Sequence, residues 1–427
     1  MFFIKEVPIP KPPNPKMRSQ SVSPGLFSLP VLVGALGFFV DIFDLLLFSI
    51  IRKPSLQSLQ LSPEEVLHSG ELIISMQMIG LTIGGIFWGI MGDKKGRLSV
   101  LFGSILLYSL ASIANGMVQT VPQYVLVRFI AGVGLAGELG ASVTLVTEML
   151  PKDKRGIGAT IIATTGVCGA LVAYLVYDFF KDWRLCYYIG GALGFLLLLL
   201  RANMFESGLY ATVKETTTPR GDFRMIISNR SRFIRYLRGI LIGFPVWFVI
   251  GVLITFSDQF GKEMGIMGVD PARAIFYQYI AIGLGDISAG LLSNYLKSRK
   301  KALWIFYSIL VVSILLYFSQ GFGWGSLTSM YWICAFMGFG SGISVLYITM
   351  SAEQFGTNLR ATTAISIPNV VRGLLPLIIL LQKLLQSVTK SYLHAGMICA
   401  VLVLSVAIWA LVRTRETYGR DMDFLES

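Results

Sequence analysis

The chain has 427 residues, of which 54% are hydrophobic and only 14% are charged. Soluble domains usually carry about 25% charged residues, and the apolar residues here fall into blocks of roughly 20, the length that crosses a bilayer. This pattern excludes one soluble globular core and predicts an all-α membrane protein. The formal net charge of +12 suits either nucleic acid or an anionic lipid surface, and the location of the basic residues decides between them.

The chain begins with a polar, proline-rich segment, residues 1–25, which predicts a disordered tail. The apolar block after it is too long for the core of a cleavable signal. Twelve spans are predicted in all. They are 26–51, 70–91, 98–117, 122–145, 157–180, 186–203, 240–257, 272–296, 302–318, 329–350, 361–384 and 391–412.

The basic residues are distributed unevenly between the two sides of the predicted membrane. If the N-terminus is cytoplasmic, 26 of the 36 Lys and Arg residues lie on that side and 8 on the other, with Arg128 and Arg372 inside spans. The excess of basic residues on one side predicts that both termini are cytoplasmic. The surplus positive charge then faces anionic lipid headgroups, and no nucleic-acid partner is expected.

Two loops occur twice along the chain. Glu148 and Arg155 follow span 4 with the same spacing that Glu353 and Arg360 show after span 10, at an offset of 205 residues. The loop after span 2 recurs after span 8 at an offset of 201. Such a repeat predicts two six-helix bundles with a solute site between them. The predicted divisions are a tail (1–25), an N-terminal bundle (26–205), a cytoplasmic linker (206–238), a C-terminal bundle (239–412) and a cytoplasmic tail (413–427).

The loop after span 2, Gly89 to Arg97, reads Gly-Ile-Met-Gly-Asp-Lys-Lys-Gly-Arg and resembles the signature loop of the major facilitator superfamily. Further motifs resemble its metabolite:proton symporter branch, which is close to the sugar porters: Gly137-Glu138, Thr147-Glu148, Pro151, Arg155-Gly156 and Phe205-Glu206-Ser207. The resemblance covers nearly the whole chain. It implies a monomeric secondary transporter of the bacterial inner membrane that works by alternating access.

The repeated loops also predict a gate at the cytoplasmic membrane edge, where ion pairs close the inner side and break when the bundles rock. Its predicted members are Gly89, Asp93, Gly96, Arg97, Glu148, Arg155, Asn294, Arg299, Glu353 and Arg360. The second loop is degraded, because Asn294 replaces the acidic residue, which implies a weaker lock in the C-terminal half. The alternative is a static anchor of snorkelling basic side chains.

Several ionisable residues lie deep in predicted spans, where a charge costs about 2.5–3.5 kcal/mol on insertion scales. These charges must therefore face a cavity or each other. The proton-coupling candidates are Asp41, Asp44, Glu138 and Asp286. Asp44 with Arg128 resembles the proton-coupling pair of proton-driven relatives. The alternative is a buried structural salt bridge that joins spans 1 and 4.

The predicted substrate-binding residues are Arg128, Arg372, Asn369, Trp247, Tyr277 and Trp332. Arg372 follows Pro368-Asn369 in span 11, and a planar guanidinium suits a carboxylate. Arg372 is thus either a solute contact or a partner of Asp286 only. The aromatic residues line the cavity in one interpretation and only pack between helices in the other.

Proton-coupled symport of a small charged or zwitterionic metabolite, such as an organic acid, amino acid or betaine-like solute, is the predicted function. A drug or metabolite exporter is the alternative, although span 5 has no Gly-Pro pair, and so is a sugar transporter, although span 7 lacks Gln and Asn. No nucleophile–base pair, nucleotide loop or metal set is found, so no enzyme activity, cofactor or metal is expected. The direction of transport is left open by the sequence.

Overall fold

A computed structural model of the chain describes residues 28–95, 97–138, 155–206 and 223–419. Helices dominate these ranges, which contain no β-strand. The helices are α1 (Leu29–Ser58), α2 (Pro63–Lys95), α3 (Arg97–Met117), α4 (Val121–Leu135), α5 (Arg155–Phe180), α6 (Trp183–Glu206), α7 (Arg224–Ser228), α8 (Arg230–Phe248), α9 (Ser257–Glu263), α10 (Pro271–Tyr295), α11 (Arg299–Ser319), α12 (Leu327–Ser341), α13 (Ser344–Ala352), α14 (Thr357–Gly373), α15 (Leu375–Thr389) and α16 (Tyr392–Arg413).

Within the described residues, each of the twelve predicted spans contains a helix or a pair of consecutive helices. Ten helical segments of the described chain are long and apolar enough to cross a membrane, and two shorter apolar helices, Val121–Leu135 and Thr164–Phe180, fall in spans 4 and 5. The prediction of an all-α protein with twelve transmembrane helices is confirmed. The predicted tail 1–25, residues 207–222 of the 206–238 linker and the end of the C-terminal tail lie outside the described residues.

Three of the spans in the second half are not continuous α-helices. In span 7, α8 contains Pro245 and continues as a π-helix, Val249–Ile254. In span 10, α12 ends before Gly342 and Ile343, and α13 begins at Ser344. In span 11, α14 and α15 meet at Leu374. Proline removes a backbone donor and π-turns widen a helix locally, so these breaks introduce irregular backbone in the middle of the C-terminal half.

The packing of glycines repeats between the two halves of the chain. A Cβ atom added at Gly132 in α4 would overlap the carbonyl oxygen of Gln77 in α2. A Cβ atom added at Gly338 in α12 would overlap the carbonyl oxygen of Gln278 in α10. Small residues of this kind let membrane helices approach closely. The offsets of 206 and 201 residues match those of the repeated loops, so the same helix contact is built twice.

Alanine at either of these glycines is expected to destabilise the protein. In Gly132→Ala and Gly338→Ala the new methyl group meets backbone rather than a movable side chain, so helix pairs must separate, at a cost of about 1–3 kcal/mol. Gly290→Ala is the matched control, since a Cβ atom there meets nothing within 4 Å and alanine favours the helix. Thermal unfolding in detergent checks this: equal midpoints for all three variants would contradict the packing account.

The helices form two groups, the N-bundle (α1–α6) and the C-bundle (α8–α16). The bundles meet where α5 packs on α10 and where α2 packs on α14 and α15. We call the end of the molecule at which α1 begins and α16 ends the tail end, and the opposite end the far end. The interface between the bundles therefore runs from the tail end to the far end. The charges buried in this interface are the candidates for binding a solute or a proton.

Candidate functional site

One buried ion pair joins the two bundles near the middle of the molecule. Asp41 lies on α1 and has no exposed surface, and Arg372 lies on α14 and is 5% exposed. Arg372 Nη1 is 3.8 Å from Asp41 Oδ2, which is too long for a hydrogen bond. Within the described part of the chain, neither carboxylate oxygen of Asp41 has a hydrogen-bond partner, and Arg372 Nη1 has none either. The pair is therefore close enough to attract but is not locked in place.

Asp44, one helical turn further along α1, is held much more firmly. It accepts a hydrogen bond from Ser112 Oγ at 2.9 Å, and Arg128 Nη1 lies 3.5 Å from its other carboxylate oxygen. Arg128 also donates to the Asp44 carbonyl oxygen at 3.0 Å and lies over the ring of Tyr187. All of these groups belong to the N-bundle. The pair expected from the sequence is thus formed, in a setting that ties α1, α3, α4 and α6 together.

Glu138 lies just beyond α4 and is fully buried. The guanidinium of Arg201, near the end of α6, binds it with two hydrogen bonds, one to each carboxylate oxygen. The pair lies against Gly37 of α1, where a Cβ atom would overlap both side chains. A two-point pair of this kind is directional and strong. Glu138 is thus joined to α6 within the N-bundle, and Arg201 was missed although it lies inside a predicted span.

Asp286 of α10 is placed at the break in span 10. Its Oδ1 accepts a hydrogen bond from the backbone N–H of Ser344 at 2.8 Å, the first residue of α13. A carboxylate at a helix N-terminus satisfies free N–H groups and the helix dipole. The alternative in which Arg372 is a partner of Asp286 only is not the arrangement in the structure, because Arg372 lies beside Asp41 and Asp286 caps α13.

The other predicted solute contacts are separated by the structure. Trp247 is buried, and its ring centroid lies 5.5 Å from Arg372 Cζ. Asn369 is buried and donates to the carbonyl oxygen of Ala136 at 3.1 Å, so it bridges the bundles. Tyr277 and Trp332 instead lie side by side on an exposed face, with tilted rings whose centroids are 6.4 Å apart, and are 38% and 67% exposed.

The placement of Tyr277 and Trp332 contradicts their predicted role in the solute cavity. Large apolar residues surround them on the same faces of α10 and α12, among them Ile280 and Phe336, which are also exposed. An exposed apolar face on a membrane-spanning helix is the face that meets lipid. Sequence alone does not separate such residues from aromatic residues that line a cavity, because both occur in any span.

The far end of the molecule carries ion pairs between the bundles that the sequence analysis did not predict. The buried Arg52 of α1 lies 2.9 Å from Asp258 of α9, whose side chain is 7% exposed, and Lys53 lies 3.3 Å from the same carboxylate. Glu71 of α2, also buried, lies 2.8 Å from Lys383 of α15. These contacts hold the far ends of the bundles together. Glu71 lies inside a predicted span, and this buried carboxylate was the sequence feature that could have indicated the contact.

Only part of the predicted gate lies among the residues whose side chains are described. Arg299 at the start of α11 lies 3.3 Å from Glu353 and donates to Asn294 Oδ1 at 3.4 Å, so the structure brings these three residues together at the tail end. Gly89 lies on α2 with open space around it. The side chains of five residues, and all of Gly96, lie outside the description: Asp93, Arg97, Glu148, Arg155 and Arg360.

Glu416, after the end of α16, is a feature of the tail end that sequence reasoning missed. Its carboxylate accepts hydrogen bonds from the Ser298 hydroxyl and from the backbone N–H groups of Arg299 and Lys300 at the start of α11. Burial raises the pKa of Glu416, but hydrogen bonds from Ser298 and from backbone N–H groups outweigh burial and lower the pKa to about 2. Glu416 therefore supplies a carboxylate beside the loop in which Asn294 lacks one.

Replacing Glu416 by Gln is expected to lower the thermal midpoint by about 1–2 °C at pH 7, because a charged cap is lost. The folded-state pKa is depressed, so this stabilisation is fully present above the ordinary pKa of 4.5 and is lost as the pH falls towards 2. Thermal unfolding of both proteins between pH 7 and pH 3 measures the difference. A difference that grows at acid pH would contradict the assignment.

The described residues contain no group of three or more His, Cys, Asp or Glu side chains that could hold a metal ion. The four cysteines are unpaired. What the geometry offers instead is a set of buried charges at the interface of two bundles. Such charges are tolerated where they pair or face a cavity, and they mark solute and ion pathways in membrane proteins.

Comparison with known proteins agrees with this architecture. The family model described as Major Facilitator Superfamily matches residues 34–380. The chain is 26% identical to the niacin transporter NiaP of Acinetobacter baylyi, over 95% of this chain and 98% of that protein. It is 25% identical to the cis,cis-muconate transport protein of the same organism, over 80% and 83% of the two chains, and 22% identical to the gentisate transporter of Corynebacterium glutamicum, over 91% and 88%.

Among solved structures, the chain is similar to a partially occluded inward-open structure of the xylose transporter XylE from E. coli. The TM-score is 0.68, the identity 15%, and the match covers 93% of this chain and 99% of that one. At this identity the similarity concerns the fold alone. The family match spans most of the chain and both bundles, and it agrees with the fold and the buried charges between the bundles. The chain therefore belongs to the major facilitator superfamily and is a membrane transporter rather than an enzyme.

Proposed function

We propose that the protein is a proton-coupled symporter of a small solute that carries a carboxylate, with Asp41 as the proton carrier and Arg372 as the carboxylate-binding residue. The loosely made Asp41–Arg372 pair between the bundles is the observation that carries this proposal. It offers a guanidinium that is positioned for an anion and a carboxylate that needs little rearrangement to leave it. The planar fork of arginine matches a carboxylate.

Charge balance explains why a proton and an anion would bind together. In the empty site, Asp41 and Arg372 neutralise each other. When Asp41 is protonated, Arg372 needs another anion, and a bound carboxylate supplies it. A site with the anion but no proton, or the proton but no anion, contains an uncompensated buried charge, which costs several kcal/mol. Only the empty and the doubly loaded states avoid that cost, so one proton moves with each monocarboxylate.

Two further observations support an ionic solute with an aromatic or other conjugated skeleton. Trp247 lies beside Arg372 and presents an aromatic face to the site. Niacin, muconate and gentisate, which name the transported compounds of three relatives, each carry a carboxylate. A neutral sugar would leave the buried pair without a role, so the charges favour an organic acid over a sugar and over an uncharged drug. No described feature favours export.

The far-end ion pairs support alternating access between the two sides of the membrane. Arg52–Asp258 and Glu71–Lys383 join the bundles at the far end, and rocking of the bundles would break them. We place the tail end in the cytoplasm because 26 basic residues lie on that side against 8 on the other. The bacterial relatives support a location in the bacterial inner membrane, and the proposed transporter acts as a monomer.

Uptake into proteoliposomes tests the proposal. Nicotinate and nicotinamide have the same ring and nearly the same size, but only nicotinate carries a charge. With an acidic exterior, nicotinate or another ring carboxylate is expected to accumulate above the external concentration, and a protonophore is expected to abolish the accumulation. Nicotinamide and xylose serve as controls. Accumulation of either control, or carboxylate accumulation that ignores the pH gradient, would rule the proposal out.

A further inference from the structure

A polar cavity lies at the far end of the molecule, at the interface between the bundles and away from the Asp41–Arg372 pair. It has a volume of about 110 Å³. Its walls come from the second half of α1, the end of α5 and the start of α10, so both bundles contribute. The lining residues are Ser49, Ile50, Lys53, Pro54, Tyr174, Tyr177, Asp178, Lys181, Asp270, Pro271 and Arg273.

The lining carries three basic side chains against two acidic ones, which leaves one net positive charge. Lys181 pairs with Asp178 at 2.6 Å, whereas Arg273 lies 4.0 Å from Asp270, the limit of an ion pair. Both pairs are well exposed, so each is worth little and exchanges partners readily. Arg273 also interacts with the Tyr174 hydroxyl, a neutral partner that a carboxylate entering the cavity would replace or share.

Aromatic residues give the cavity a second property. Tyr174 of α5 packs against Phe276 of α10 with ring centroids 4.6 Å apart, and Tyr177 lies one turn further along α5. At about 110 Å³ the cavity is smaller than the buried cavity of about 150 Å³ that admits benzene, but it opens to solvent, so a small ring can enter in part while its charged group stays at the mouth. Tyrosine faces and basic side chains together fit a small aromatic carboxylate.

We propose that this cavity is a second carboxylate-binding site, which is complete only when the far ends of the two bundles are together, so that its ligand holds the far end closed. The proposal rests on the proposed function for the class of ligand. A ligand shifts a conformational equilibrium towards the state that binds it better. Because α10 supplies Arg273 and α5 supplies Lys181, opening of the far end separates the groups that hold the ligand.

Binding of benzoate to the purified protein tests the site, with benzamide as the uncharged control. In the Arg372→Ala variant the central site is removed, and one benzoate is expected to remain bound. Adding Arg273→Ala and Lys181→Ala is expected to weaken that binding at least about tenfold, as loss of charge-assisted contacts does. Lys262→Ala removes an exposed lysine outside the cavity lining and is expected to leave binding unchanged.

The same substitutions in the otherwise unaltered chain keep the test valid if Arg372→Ala folds poorly. Arg273→Ala is then expected to reduce the number of bound benzoates from two to one. In uptake assays, the initial rate of the wild type is expected to fall when the carboxylate concentration on the far-end side of the membrane is high. In Arg273→Ala, the initial rate is expected to rise to a plateau with concentration and not to fall.

The two proposals fail in different ways. Wild-type protein that binds one benzoate, lost in Arg372→Ala and unaffected by Arg273→Ala, would overturn the second site and leave the proposed function intact. Benzoate binding in Arg372→Ala that depends on Arg273, in a protein without carboxylate transport, would support the second site and reject the proposed function. Equal affinity for benzamide would overturn the carboxylate assignment of the cavity.

Discussion

Replacing Arg372 by alanine is expected to reduce carboxylate uptake by roughly 100-fold or more. The substitution removes the charge-assisted contact to the solute, worth about 1.5–3 kcal/mol, and leaves Asp41 buried without its cation, which costs about 3–5 kcal/mol. Arg372→Lys keeps the charge but loses the planar fork, so its uptake is expected to lie between those of alanine and the wild type. Initial rates in proteoliposomes, normalised to folded protein, measure the effect.

A double variant separates the transport defect from a stability defect. In Arg372→Ala with Asp41→Asn, no buried charge is left unpaired, so the thermal midpoint is expected to return towards that of the wild type. Transport is expected to stay absent, because the carboxylate-binding group is still missing. Recovery of uptake together with stability would mean that Arg372 has a structural role only.

Replacing Asp41 by asparagine is expected to abolish accumulation driven by a pH gradient while it allows counterflow exchange of the solute. Asparagine keeps the shape of the side chain, cannot take a proton and leaves Arg372 permanently available to the anion. Accumulation ratios and exchange rates in the same proteoliposomes give the two readouts. If the Asp41→Asn variant accumulates solute as the wild type does, the proton binds elsewhere.

The same assay on Asp44→Asn distinguishes the two aspartates of α1. The hydrogen bonds to Asp44 from Ser112 and the contact with Arg128 lie within the N-bundle, so this substitution leaves Arg128 as an unpaired buried charge. We expect a loss of about 3–5 kcal/mol of stability and, in the folded fraction, retained coupling. Lost coupling in a stable Asp44→Asn protein would move the proton carrier from Asp41 to Asp44.

The sequence predicted the helices and the charged residues better than it predicted their partners. Spans and the repeat follow from local composition and spacing, and these survive in the structure, as the matching contacts of Gly132 and Gly338 show. Asp41 and Arg372 stood out because a charge in a span is costly. Their pairing was not predictable, since they are 331 residues apart and Asp286 was an equally acceptable partner on charge alone.

The missed residues show which physical information the sequence lacks. Arg201 and Glu71 both lay inside predicted spans, yet the penalty for burying charge was applied only to residues nearer the centres. Glu416 follows the last span, where nothing in its neighbours reveals that the start of α11 lies beside it. Trp332 was assigned to the cavity because hydropathy does not distinguish a lipid-facing aromatic side chain from an inward-facing one.

Proton uptake on ligand binding tests most directly whether Arg372 exchanges Asp41 for the carboxylate of the solute as its ion-pair partner. Purified protein in weakly buffered solution is mixed with a transported carboxylate, and the pH change gives the protons bound per ligand. We expect uptake that approaches one proton per ligand at the central site in the wild type, and none in Asp41→Asn although the ligand still binds. Binding to the wild type without proton uptake, or the same uptake in Asp41→Asn, would contradict the account.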